Sequence, residues 1–156
     1  MRNFILNLCL GLGLFACTTQ EVCDGDGQSE MVVRFKTTGT GSVTDTILAG
    51  VTIFGIRSGL ADSLLYNNAI LTRMVLPLDT RNDYSNFVLR VNDVSDTLTI
   101  NQSNEFYLLS YSCGFAARFN LNGIHYTGSI IQDYEIINSV IDAETEQNEE
   151  HLWLYF

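Results

Sequence analysis

Apolar and polar side chains alternate with a period of two along most of the chain from Met31 onward. Met31, Val33 and Phe35 fall on one side and Val32, Arg34 and Lys36 on the other, and Phe87, Leu89 and Val91 alternate with Val88, Arg90 and Asn92. Leu98 and Ile100 alternate with Thr97 and Thr99, and Phe115, Ala117, Phe119 and Leu121 with Ala116, Arg118 and Asn120. Successive side chains of a strand point to opposite faces, so these segments read as half-buried strands. Further strands are predicted over Val51 to Ile56, Leu64 to Tyr66, Thr72 to Leu76, Phe106 to Tyr111, Ile130 to Ile141 and Leu152 to Phe156. Turn formers bound them: Ser58-Gly59, Asn67-Asn68, Asn82-Asp83, Asn92-Asp93 and Asn122-Gly123. No stretch carries a helical period. Roughly nine or ten short strands at this spacing predict an all-β fold, a β-sandwich or a small barrel.

The first residues follow another pattern. Arg2 opens the chain, Phe4 to Phe15 is apolar apart from Asn7 and two glycines, and Leu14-Phe15-Ala16-Cys17 resembles a lipobox. A bilayer-spanning helix needs roughly 20 apolar residues, so this dozen reads as a leader cleaved before Cys17, which becomes the lipidated first residue. The expected organisation is a leader over 1–16, a lipidated tether over 17–30 and one β-sandwich domain over 31–156. Cleavage leaves 140 residues, one domain's worth. A single acyl chain anchors marginally, and two or three hold firmly.

Export assigns the four cysteines. Cys9 leaves with the leader and Cys17 takes the lipid, which leaves Cys23 and Cys113 as an even pair in an oxidising compartment. They are expected to form a disulfide. In the chain-entropy account, closing this 91-residue loop stabilises the fold by roughly 4 to 5 kcal/mol.

The composition is globular, 46% hydrophobic and 11% aromatic, with a net charge of −10. So acidic a chain lacks the basic footprint of a nucleic-acid binder, and no nucleic-acid partner is expected. Thr18 to Glu30 is polar and glycine-containing, suited to a tether.

The lipobox, a tether holding a Cys, and a series of strand segments resemble a family of small Bacteroidota lipoproteins of unknown function. The segments are Met31-Val32-Val33-Arg34-Phe35, Val51-Thr52-Ile53-Phe54-Gly55, Asp62 to Asn68, Leu76-Pro77-Leu78, Asp96-Thr97-Leu98-Thr99-Ile100, Ser112-Cys113-Gly114-Phe115 and His151 to Phe156. The resemblance implies an envelope lipoprotein with an Ig-like antiparallel β-sandwich, a bridge from the tether Cys to the Ser-Cys-Gly turn, and no catalytic residues to carry over. In such lipoproteins, acidic residues after the lipidated Cys can mark surface export, and Glu21, Asp24 and Asp26 match loosely. Asp45-Thr46-Ile47, Asp62-Ser63-Leu64 and Asp96-Thr97-Leu98 fit an O-glycosylation pattern, which makes Thr46, Ser63 and Thr97 candidate sites.

Other motifs carry less. Counted from Asp24, the sixth position is Ser29 and the twelfth Phe35, where an EF-hand needs Gly and Glu, so Cys23-Asp24-Gly25-Asp26-Gly27 reads as an acidic turn. Asp142 to Glu150 holds five carboxylates in nine residues and reads as a solvated hairpin loop. Thr38-Gly39-Thr40-Gly41-Ser42 lacks the Lys and the helix of a phosphate loop. His125 and His151 are the only histidines, and neither sits in a nucleophile, zinc or triad motif. No cofactor and no metal is expected.

The function these observations favour is a non-catalytic lipoprotein of the cell envelope, held at the outer membrane through its N-terminal lipid. It would bind an envelope protein or a glycan through exposed aromatics such as Tyr107, Tyr111, Trp153 and Tyr155. A fimbrial or adhesin-type subunit assembling by strand addition through Leu152 to Phe156 is the alternative. An eight-stranded outer-membrane barrel, with Arg34, Lys36, Arg90 and Arg118 in its lumen, fits the lipobox poorly, and a small hydrolase remains the enzyme reading.

Overall fold

The structure, a computed structural model, describes residues 29–39, 41–143 and 149–156. Eleven strands run in order among them: β1 (Glu30–Thr38), β2 (Val43–Asp45), β3 (Leu48–Ile56), β4 (Ser63–Leu71), β5 (Arg73–Pro77), β6 (Tyr84–Val91), β7 (Val94–Ser110), β8 (Gly114–Tyr126), β9 (Asp133–Ile136), β10 (Val140–Ile141) and β11 (Leu152–Tyr155). The expected leader over 1–16, Cys17 and the expected acidic turn from Cys23 to Gly27 lie outside the described residues. No described helix is long and apolar enough to cross a membrane.

The strands form a β-sandwich, as the alternation predicts. One sheet has the order β10-β8-β7-β6-β3-β4, and the other the order β2-β1-β11-β9 with β5 also on β1. β5 pairs with Glu30 to Arg34 and β2 with Lys36 to Thr38, and the edge passes from one to the other at Phe35, whose N–H donates to Thr72 and whose carbonyl accepts from Thr46. The residues of one parity in each sheet meet in a shared core. Met31, Val33, Phe35, Met74, Leu76, Leu152 and Leu154 of one sheet pack with Val51, Ile53, Phe87, Leu89, Leu98, Ile100 and Phe119 of the other. Burying each such side chain contributes about 1.5 to 3 kcal/mol.

Several boundaries differ from the periodicity reading, each for a local reason. Leu98 to Ile100 and Phe106 to Ser110 belong to one 17-residue strand, β7, because the polar residues between them still pair with β8, and Tyr111 falls in the turn that follows. Ile130 to Ile141 divides into β9 and β10, which lie in different sheets. Asn67-Asn68 and Asn122-Gly123 are bulges inside β4 and β8. Asn68 has φ 48°, and its N–H donates to Thr52 Oγ1 at 3.1 Å. At the second bulge Asn122 is the unpaired residue, since Asn101 pairs with Gly123 and Gln102 with Leu121. Asparagine tolerates the conformations that both turns and bulges need, so its presence does not distinguish them. Gly50 marks a further irregularity in β3, with φ 73° and an ideal Cβ position 2.6 Å from Asn92 Oδ1.

β11 is parallel to β1, from Val33 opposite Leu152 to Lys36 opposite Tyr155, and antiparallel to β9. This is the one parallel pair in an otherwise antiparallel arrangement of described strands. The strand that donor exchange would release is therefore central in its own sheet, with Leu152 and Leu154 fully buried and Phe156 edge-on to Phe35 at 5.2 Å between ring centroids. Asp142 to Glu150 is not a hairpin loop but a connection between sheets, from β10 to β11. Its described carboxylates are paired: Asp142 with Arg118 at 3.3 Å, Glu150 with Arg34 at 2.8 Å and with the Trp153 indole, and Glu149 with the Asn138 amide.

Candidate binding cleft

At one end of the sandwich the β3–β4 turn and the β5–β6 connection enclose a cleft of about 360 Å³. Its apolar wall includes Ile56, Leu60, Leu65 and Pro77, and its polar wall Ser63, Asp79, Asn82 and Asn86. Arg57 enters from the β3–β4 turn and Arg81 from the β5–β6 connection. Neither forms an ion pair among the described residues, whereas Arg34, Lys36 and Arg118 all do.

The loop carrying Arg81 is held by a buried polar network. Asp79 Oδ1 accepts the Arg81 N–H at 2.8 Å and Oδ2 the Asn82 amide at 2.9 Å, an Asx turn that sets the loop's direction. The Asp79 N–H donates to Ser85 Oγ at 2.8 Å, Ser85 Oγ donates to Gln102 Oε1 at 3.2 Å, and Gln102 Nε2 returns to the Asp79 carbonyl at 2.8 Å. The Gln102 N–H reaches the Asp83 carbonyl at 2.9 Å, and Asn104 Nδ2 the Thr80 carbonyl at 2.8 Å. Ser85 and Gln102 are buried. A buried polar network with every member satisfied is rigid, so Arg81 stands on a fixed base.

Residues 50–156 match a family of unknown function, DUF6452. The chain belongs to that family. No curated protein and no solved structure matches it. The DUF6452 match spans the whole cleft and every strand from β4 on, but it begins inside β3 and leaves out β1 and β2. Two of the segments that β1 pairs with, β5 and β11, therefore lie inside the match while β1 does not.

The two ionisable residues most deeply buried in the fold serve its backbone. Asp96 is 1% exposed, and its carboxylate accepts from Thr127 Oγ1 at 2.6 Å and from the N–H groups of Ser129, Ile130 and Ile131 at 2.7 Å each. Burial by itself would raise its pKa, but these four donors outweigh it and hold the carboxyl at about 2. His151 is buried at the start of β11. Its Nδ1 accepts the Val32 N–H at 3.0 Å while the His151 backbone N–H donates to the Val32 carbonyl at 2.9 Å. Nδ1 as acceptor assigns the neutral tautomer with hydrogen on Nε2, which has no hydrogen-bond partner among the described residues.

Burial pushes the His151 pKa below 6.5, against the opposing pull of Glu149 and Asp142. Folding thus favours the neutral ring. The stabilisation is fully present above the unfolded pKa and declines as the pH falls below about 6.5. In an NMR titration the His151 ring is expected to stay neutral until the pH is below 6.5; a midpoint at or above that value contradicts the geometry.

The other candidate residues are dispersed. Thr46 is half-buried beside β1, Ser63 lines the cleft, and Thr97 is half-buried, exchanging bonds with Thr127. Cys113 sits in the β7–β8 turn, where its N–H donates to Ser110 Oγ at 3.1 Å. Trp153 is half-buried under the Lys36 ammonium at 4.1 Å, the Tyr155 hydroxyl donates to Glu135 at 2.9 Å, and Tyr107 lies beneath the Arg118 guanidinium at 4.6 Å. Of the four aromatic contact candidates, Tyr111 alone is fully exposed. His125 is exposed on β8 and lines neither this cleft nor the smaller cavity beside Phe106 and Phe115. No group of three or more metal-ligating side chains occurs among the described residues.

Sequence reasoning did not single out Arg57, Arg81 or the Ser85–Gln102 pair. A signal for part of it was available. Asp96, Leu98, Ile100 and Gln102 share one strand parity, so Asp96 and Gln102 are polar residues on a core stripe. Each ends the stripe and ties a loop to it: 127–131 at one end and 79–83 at the other.

Proposed function

We propose that this protein is a non-catalytic, lipid-anchored module of the cell envelope that binds a carboxylated glycan in the Arg57–Arg81 cleft. The observation that carries the reading is the convergence, in a chain of net charge −10, of two arginines without ion pairs among the described residues on one cleft with an apolar wall. Guanidinium groups take carboxylates in paired, charge-assisted hydrogen bonds. Ser63, Asn82 and Asn86 offer donors and acceptors for sugar hydroxyls, and Ile56 and Leu60 an apolar surface for a ring face. The roles of Asp96 and His151 as backbone acceptors support a binding module over a hydrolase. The anchoring rests on the sequence, the leader and lipobox ending at Cys17, and so does the expectation of an outer-membrane address.

The test uses an oligogalacturonate as probe and calorimetry as readout. Arg57→Ala and Arg81→Ala are each expected to weaken binding about tenfold or more, the value of a charge-assisted hydrogen bond, with stability unchanged. Equal affinity of the double variant and the unaltered protein, or equal binding of the carboxyl-reduced oligosaccharide, overturns the reading.

A further inference from the structure

β7 and β8 reach beyond the rest of their sheet. β6 pairs with β7 only as far as Asn101, and β10 meets β8 only at Phe119 and Asn120, so from Ser103 to Arg118 no other described strand continues the ladder. This arm carries no charged side chain from Phe106 to Ala117, in a chain where 17% of residues are charged. Phe106 pairs with Ala117 and Leu108 with Phe115, which sets all four on the face that carries Phe119 into the core. Past the end of the opposite sheet that face is open: Phe106 is 63% exposed, Leu108 45% and Phe115 71%. Tyr111, at the turn, is fully exposed.

The tether meets the body at the foot of this face. The Ser29 hydroxyl donates to the Ala117 carbonyl, and Ser29, Phe106, Phe115 and Phe119 line one cavity of about 240 Å³. Ser29 is only 12 positions beyond Cys17, so a lipid on Cys17 holds the foot of the arm within ~40 Å of the bilayer. A Cys23–Cys113 bridge tightens that limit, because the tip of the arm is then tied to a residue six positions beyond Cys17, a reach of ~20 Å.

We infer that the apolar face and tip of the β7–β8 arm dock on the lipid surface that holds the chain, with Phe106, Leu108, Tyr111 and Phe115 in the interfacial zone. This rests on the lipid anchor at Cys17 proposed above. Aromatic side chains favour that zone, where the ring leaves water and a tyrosine hydroxyl stays wet. The absence of charge from Phe106 to Ala117 matters equally, since the acidic remainder of the chain is repelled by anionic headgroups. The arm then acts as a second contact that fixes the orientation of the sandwich on the membrane.

The test places a single tryptophan at the tip, Tyr111→Trp combined with Trp153→Phe, in the exported full-length chain. The purified protein is reconstituted into phosphatidylcholine vesicles whose acyl chains carry bromine near the headgroup. The tip tryptophan is expected to lose most of its emission, while Trp153 in the unaltered protein keeps most of its own. Tyr111→Trp with Trp153 retained provides a second reporter should loss of Trp153 disturb the fold. Intact mass reads acylation separately. An acylated protein that floats with the vesicles while its tip stays unquenched overturns the docking and leaves the anchor standing. A protein without acyl mass refutes the anchor, and its tip is then tested by adding the same vesicles, where absence of quenching overturns the docking as well. Blue-shifted tip emission without vesicles, with the hydrodynamic size of a dimer, shows a second copy on the face and also overturns it.

Discussion

Asp96→Asn is expected to destabilise the fold by about 3 kcal/mol or more, although the two side chains are nearly isosteric. The carboxylate accepts four hydrogen bonds, three of them from consecutive backbone amides of the segment that leads into β9. An asparagine keeps one acceptor oxygen and turns an NH₂ group towards one pair of donors, leaving buried N–H groups opposed and unpaired. The charge contributes a separable part. A folded pKa of about 2 lies below the unfolded value of 3.8, so this stabilisation is present above the unfolded pKa and is lost as the pH falls through the folded one. Its size is about 2 kcal/mol, from 1.36 kcal/mol per pKa unit. Urea unfolding followed by Trp153 fluorescence checks both parts. The gap between the two proteins is expected to narrow by about that amount between pH 7 and pH 2, and a gap constant with pH refutes the carboxylate's role.

Loss of the proposed Cys23–Cys113 bridge is the other large expected effect. A 91-residue loop corresponds to roughly 4 to 5 kcal/mol in the chain-entropy account, and native bridges removed from small exported domains typically cost 2 to 5 kcal/mol. In that account the effect belongs mainly to the unfolded chain, whose freedom the bridge restricts. Cys23→Ser, Cys113→Ser and the double variant are therefore expected to shift the urea midpoint alike, and reductant to shift only the unaltered protein. Single variants whose effects add in the double variant, or a midpoint indifferent to reductant, exclude the bridge. Non-reducing peptide mapping reads the pairing directly.

The strands were legible where one face is buried. Met31 to Phe35, Phe87 to Val91 and Ala117 to Leu121 alternate because one parity meets the core, and each lies within an observed strand. β2 was not legible, since its three residues are all exposed and its pairing is with β1 alone. The bulges at Asn68 and Asn122 read as turns because the same backbone freedom serves both. Of the cleft, Ser63 alone had been singled out, and for modification rather than binding. Arg57 and Arg81 are 24 positions apart, and neither has a motif to announce it.

By itself the sequence determined the all-β class, the positions of most strands and the parity that fills the core, because these depend on a side chain and its immediate neighbours. The acidic charge is an equally local property, and so is the lipobox-like pattern on which the proposed lipidation of Cys17 rests. Only the tertiary structure decided that the last strand lies parallel to the first, that Asp96 and Gln102 close the two ends of one core stripe, and that two arginines share a cleft. These depend on which segments meet across the sandwich. A period of two says which way a side chain faces and nothing about what faces it.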